Sequence, residues 1–207
     1  MQIKSFNDLD FTRIDVLREL GNIGMGNAAS SLAQMLSNKV EMSVPKADLV
    51  DNAAAADYLH KLQTTSLGIV LNLQGDINGS IIHILRKSFA ERVINFFFPT
   101  SLDTIEDIDE MSMSVISEVG NITSASYVNA IAAMTGLFID ISTPIQCPDL
   151  AEAVLNPSSS NSSVDFSDKV LLIDNSFFID REEIKSNLIF LPEVDSLNLI
   201  FERLGLQ

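Results

Sequence analysis

Between about Thr12 and Leu36 the apolar residues Ile14, Leu17, Leu20, Ala28, Leu32 and Met35 recur at steps of three to four or multiples of them. That spacing is one buried face of a long helix. Asp10 or Thr12 is placed to cap its N-terminus. A second run with the same rhythm starts near Asp109 and ends by Gly136. Each predicted helix is followed by a short β-prone run, Val40–Val44 and Ile139–Thr143, which Pro45 and Pro144 are expected to close. Gly68–Leu73 and Ser80–Leu85 then read as hairpin strands around the turn residues Gly75-Asp76-Ile77-Asn78-Gly79. Their partners in the second half are Lys169–Asp174 and Asn187–Leu191, and short helices near Phe89–Phe97 and Ser196–Leu204 finish the halves. Strand pairs joined by short turns imply antiparallel sheet, so the expected class is α+β.

The two halves are copies. A shift of 99 residues lays Asp15-Val-Leu-Arg-Glu19-Leu-Gly21-Asn22-Ile23 on Ser114-Val-Ile-Ser-Glu118-Val-Gly120-Asn121-Ile122. The register continues without a gap through Ala33/Ala132 and Met35/Met134 to Ser43/Ser142 and Pro45/Pro144. Such persistence marks a duplication. Further on, the segment from Ser80 matches the segment from Ser186 at an offset of about 106, so the second half is longer by about seven residues. The surplus fits the polar run Asn156–Ser163, read as a loop near 156–165 without chemistry. The expectation is one domain over 1–207, built from repeats at about 10–98 and 109–205. In it, two long helices pack on a shared antiparallel sheet around a pseudo-twofold axis.

Composition narrows the function. A formal net charge of −15 opposes binding to nucleic acid or to an anionic membrane surface, because both depend on Lys and Arg. No apolar run approaches a membrane span; the cluster Phe96-Phe97-Phe98 is stopped by Pro99. The N-terminal stretch is charged throughout and lacks the apolar core of a signal peptide. A single cysteine, Cys147, forms no internal disulfide, so a reducing, cytoplasmic setting is expected. His60 and His83 have no ligand-like spacing, and no metal or cofactor of its own is expected.

Three polar positions stand out because both copies keep their spacing: Asp15, Glu19 and Asn22, then Ser114, Glu118 and Asn121. Steps of four and seven residues return to within about 40° of the start, so each trio shares one helix face. Exposed polar residues commonly serve only solvation, which requires no particular residue type. Here the same Glu and Asn persist while neighbours such as Arg18/Ser117 and Ser30/Asn129 differ. The first helix also tolerates Gly21, Gly24 and Gly26, each costing about 1 kcal/mol relative to Ala. Gly21/Gly120 suggests close backbone packing, and the small Gly26 and Ala125 would let another surface approach the amide.

The pattern Asp or Ser, then Glu, then Asn, then Pro occurs twice, at Asp15-Glu19-Asn22-Pro45 and Ser114-Glu118-Asn121-Pro144. It resembles the signature of the CheC, CheX and FliY family of chemotaxis phosphatases. The words LRELGNIGMGNAASSLAQML and ISEVGNITSASYVNAIAAM are most similar to its CheC branch. The resemblance implies hydrolysis of the aspartyl phosphate on the response regulator CheY, with Mg²⁺ held by CheY. It implies that Asn22 and Asn121 orient the attacking water and that Glu19 and Glu118 dock on the regulator, with Asp15 and Ser114 in support. All four Glu and Asn side chains should then be accessible. The receptor deamidase CheD is the further partner it implies, and two fused repeats make a monomer the expected state. The alternative is a non-catalytic, flagellar-switch-like module that binds CheY.

Overall fold

The computed structural model describes residues 2–43, 46–62, 65–147, 150 and 169–206. Two helices of 26 residues dominate it, α1 (Phe11–Leu36) and α4 (Glu110–Thr135). Both start on an aspartate whose side chain accepts a backbone N–H of the first turn: Asp10 from Arg13 at 2.9 Å and Asp109 from Ser112 at 2.7 Å. Ser37 and Gly136 end them in the left-handed conformation. Between the helices lie β1 (Val40–Met42), β2 (Lys46–Asp51), α2 (Asn52–Leu62), β3 (Ser66–Gly75), β4 (Gly79–Arg86) and α3 (Lys87–Ile94). After α4 come β5 (Ile139–Ile141), β6 (Ile145–Cys147), β7 (Lys169–Ile179), β8 (Glu182–Pro192) and α5 (Val194–Arg203).

All strands join one antiparallel sheet in the order β1-β7-β8-β4-β3-β5, with β2 also on β7 and β6 also on β3. The halves exchange strands. β1 and β2 follow α1 but pair with the second hairpin, while β5 and β6 follow α4 but pair with the first. Neither hairpin has its full set of partners without the other half.

The registers define the pseudo-twofold. Val40 lies opposite Ile179 and its counterpart Ile139 opposite Gly75, so β7 corresponds to β3 at an offset of 104 residues. Leu71 pairs with Ile81 and the residue 104 further on, Asn175, pairs with Ser186, so β8 corresponds to β4 at 105. This corrects the offset of about 106 read from the sequence. Parity decides it, since a one-residue slip turns every side chain to the other face. Ser186 therefore corresponds to Ile81, and His83 to Leu188. His83 and Leu188 are also direct cross-strand partners, so the axis passes between them, normal to the sheet.

Leu17, Leu20, Met25, Ala28 and Leu32 of α1 and Ile116, Val119, Tyr127 and Ile131 of α4 pack on one face of the sheet, with Ile69, Ile81, Leu188 and Phe190. Ile14 and Met35, at the ends of the expected stripe, are only partly buried. The opposite face carries α2 over Ile82, Ile84, Ile189 and Leu191. β4 is accordingly buried over Ser80–Leu85 without alternation.

Three elements were not anticipated, β2, α2 and β6. Pro144 interrupts a strand that resumes as β6 on the same partner, β3, so it does not close it. An edge strand tolerates that loss of an N–H. Val44, Pro45 and the polar run near 156–165 lie outside the described residues. Among the described residues no helix is long and apolar enough to cross a membrane.

His83 is fully buried, and desolvation lowers its pKa from 6.5 to about 3. The unfolded chain therefore binds a proton below pH 6.5 that the folded chain refuses. This part of the stability is complete above about pH 6.5 and falls by about 1.4 kcal/mol per unit as the pH drops toward 3. Urea titrations between pH 5 and 6.5 should show that slope in the wild type and lose it in His83→Leu. Parallel slopes for the two proteins would mean that His83 is not held neutral.

Candidate functional site

Each long helix faces the sheet at a glycine, closely at Gly120 and with room to spare at Gly21. Gly21 faces Ile173, whose Cδ1 would lie 3.4 Å from an added Cβ. Gly120 presses on Ile69, whose Cγ2 would lie 2.9 Å away. Ile69 and Ile173 are counterparts at the 104-residue offset, so each helix rests on the hairpin of the other half. The close packing suggested by the Gly21/Gly120 repeat is present. Where the helices cross, Gly24 sits against Tyr127, whose Cδ2 and Cα would lie 2.6 and 2.9 Å from a Cβ. Ser31 Oγ and Ser126 Oγ are 3.1 Å apart nearby.

These contacts leave the motif residues on the outer side of the same turns. Asp15, Glu19, Ser114 and Glu118 are exposed; Asn22 and Asn121 are half-buried. The expectation of accessible acids is met, while the amides lie partly within the helix packing. A twofold normal to the sheet runs α1 and α4 in opposite directions, and both trios precede the crossing. The structure therefore gathers each trio but keeps the two trios apart, one on each side of the crossing.

The two copies differ in local bonding. Asn22 Nδ2 donates to Glu19 Oε2 at 3.3 Å, and Asn22 Oδ1 is shielded from solvent without a hydrogen-bond partner. No such bond joins Glu118 to Asn121 among the described residues. Arg18 bridges Asp15 (3.1 Å) and Asp48 on β2 (3.5 Å), tying the first motif to the edge of the sheet. Its counterpart is Ser117, and Ser114 Oγ donates to the Glu110 carbonyl at 3.1 Å. An open cleft of about 520 Å³ borders the second motif, lined by Ile108, Met113, Ser114, Ser117, Glu118 and Pro144 among others. Its lining mixes the apolar Ile108, Met113 and Pro144 with the carboxylates Asp109, Glu110 and Glu118, which suits a protein surface that brings a cation. The Arg18–Asp48 bridge was not legible in the sequence, because β2 itself went unrecognised. Among the described residues no group of three or more His, Cys, Asp or Glu side chains is placed to hold a metal ion.

The model of the CheC-like family matches residues 14–47 and 111–145, the two stretches that carry the motifs. Over 204 residues, 97% of both chains, the sequence is 33% identical to the CheY-P phosphatase CheC of Bacillus subtilis strain 168. This chain belongs to the CheC family. Its fold is similar to that of FliY from Thermotoga maritima, with a TM-score of 0.73 at 20% identity over 97% of this chain and 100% of that one. It is also similar to the FliM middle domain from H. pylori, with a TM-score of 0.67 at 10% identity over 94% and 99% of the two chains. The family model thus falls once on each motif helix, one match in each repeat.

The seating of the helices gives a test. Gly120→Ala pushes a methyl against the β-branched stem of Ile69, so it should cost about 1–3 kcal/mol despite the better helix propensity of Ala. Gly21→Ala meets only an ordinary contact and should be neutral or stabilising by up to about 1 kcal/mol. Denaturant midpoints decide it, and equal effects at the two positions would contradict the asymmetric seating.

Proposed function

We propose that this CheC-family chain is a phosphatase that hydrolyses the aspartyl phosphate of CheY, using Glu19 with Asn22 and Glu118 with Asn121. The carrying observation is that two Glu–Asn pairs, related by the pseudo-twofold, stand at the surface of a chain 33% identical over nearly its full length to a CheY-P phosphatase. The chain acts as one unit of two repeats, as a monomer, in the cytoplasm. CheD is proposed as a second partner that regulates it.

An acyl phosphate is already activated, and the Mg²⁺ belongs to the regulator. What this chain must supply is a water in line with the breaking bond. The water oxygen bonds to phosphorus as the bond from phosphorus to the aspartyl oxygen breaks. Inorganic phosphate and a free carboxylate result, and the proton leaves with phosphate or solvent. A neutral amide suits the task, because its oxygen accepts from water while its NH₂ donates. Each Glu is the anchor, pairing with a lysine beside the regulator's phosphorylation site. At the first site Glu19 holds the amide of Asn22 in the free chain. A lysine that takes over Glu19 releases that amide to turn toward the water. Asp15 and Ser114 support the docking face.

The two positions should fail differently. Asn22→Ala with Asn121→Ala should leave phosphorylated CheY decaying at its own rate, with docking retained and stability changed by no more than about 0.5 kcal/mol per site. Glu19→Ala with Glu118→Ala should weaken docking, and higher protein concentration should recover part of the loss. Phosphate release from CheY, paired with thermal melts, reads both. A folded double-Asn variant as fast as wild type would replace this reading with that of a non-catalytic CheY-binding module.

A further inference from the structure

Thr123, His83 and Ser186 form a fully buried polar row that the proposed chemistry does not use. Thr123 lies two residues beyond Asn121. Its Oγ1 is 2.8 Å from the Val119 carbonyl, 3.1 Å from the Gly120 carbonyl and 2.8 Å from His83 Nδ1. His83 Nε2 is 2.6 Å from Ser186 Oγ. Carbonyls only accept, and each hydroxyl has one proton. One arrangement satisfies the row. Ser186 donates to Nε2, Nδ1–H donates to Thr123 Oγ1, and Thr123 donates to the backbone of residues 119–120. Those two residues lie between Glu118 and Asn121. A threonine bonding back to its own helix is common and by itself specifies little. Here the same oxygen is also pinned to the centre of the sheet, at the pseudo-twofold axis.

The first repeat has no such clamp. The counterpart of Thr123 is Gly24, which has no side chain and rests on Tyr127. The counterpart of His83 is Leu188. The turn carrying Glu19 and Asn22 is therefore held by packing and the exposed Arg18 ion pairs, and the turn carrying Glu118 and Asn121 by packing plus a buried, satisfied hydrogen-bond row. Buried rows of this kind are directional and rigid, and their loss strands polar atoms.

We infer that Thr123 and His83 are positioning residues for the second site only, fixing the helical turn that presents Glu118 and Asn121. This rests on the phosphatase reading for its effect on rate, but not for its effect on the helix. Displacements of about 1 Å cost up to about a hundredfold in rate when a reaction depends on placement. Asn121 should feel this more than Glu118, whose longer exposed side chain can still reach a partner.

Two single-site backgrounds, Asn22→Ala and Asn121→Ala, isolate the effect. With only the second site left, Thr123→Val should lower kcat on phosphorylated CheY by about tenfold or more, with KM changed by less than about twofold. With only the first site left, both constants should stay as they were. Thr123→Ser, which keeps the hydroxyl, should restore kcat. Amide hydrogen exchange supplies a readout independent of activity: Thr123→Val should speed exchange over residues 118–122 relative to 19–23. His83→Gln, measured in the same way, substitutes if Thr123→Val does not fold. An equal fall in both backgrounds, no rescue by Ser, or uniform exchange across the two turns would overturn the clamp. Unchanged hydrolysis in Asn22→Ala/Asn121→Ala would instead overturn the phosphatase reading, and the exchange result would still decide the clamp.

Discussion

The structure depends on two helix backbones being allowed to touch what lies beneath them. Gly21 and Gly120 set α1 and α4 directly on Ile173 and Ile69, and Gly24 lets the helices close on each other at Tyr127. Helix propensity opposes all three glycines by about 1 kcal/mol each. Contact offsets that cost, because each helix covers the hairpin of the other half and the hairpins share their edge strands with it. The asparagine next to each seating glycine is consequently held at the border between core and solvent. A larger residue at Gly120 would press on Ile69 and lift that turn and the Glu118–Asn121 pair with it, whereas Gly21 leaves room for a methyl group.

The sheet and the helices together explain why the copies look alike and behave locally as different sites. The pseudo-twofold relates their backbones, yet the surroundings of the pairs have diverged. The first is braced on its surface by Arg18 between Asp15 and Asp48, and its amide is tied to Glu19. The second opens on a cleft and is braced from below through Thr123 and His83. Surface ion pairs such as those of Arg18 contribute little and weaken with salt. A buried row does not respond to salt in that way. Duplication has kept the Glu–Asn pair while leaving each copy free to find its own support.

Much of this was legible in the sequence because it follows from periodicity. The long helices and the Glu–Asn pairs repeat at fixed spacing, Asp10 was one of two candidate caps, and the Gly75–Gly79 turn is marked by its own glycines. The errors have physical causes. β2 and β6 are short edge strands whose pairing is supplied by the other half, so no local pattern marks them. The matching serines Ser80 and Ser186 suggested an offset one residue too long, and only hydrogen-bond register reveals which face each side chain takes. The His83–Thr123–Ser186 row joins residues up to 103 positions apart in sequence, and a lone histidine within an apolar strand gave no sign of it.

The proposed chemistry requires a neutral amide, and not merely a polar group of that size, beside the phosphoryl group. Replacing Asn22 and Asn121 together by Asp keeps shape and size but removes the donor and adds charge where the phosphate arrives. The decisive measurement is the rate of phosphate release from phosphorylated CheY with that double variant, at matched fold and concentration. Decay no faster than that of CheY alone is expected. Hydrolysis as rapid as with the wild-type chain would contradict it.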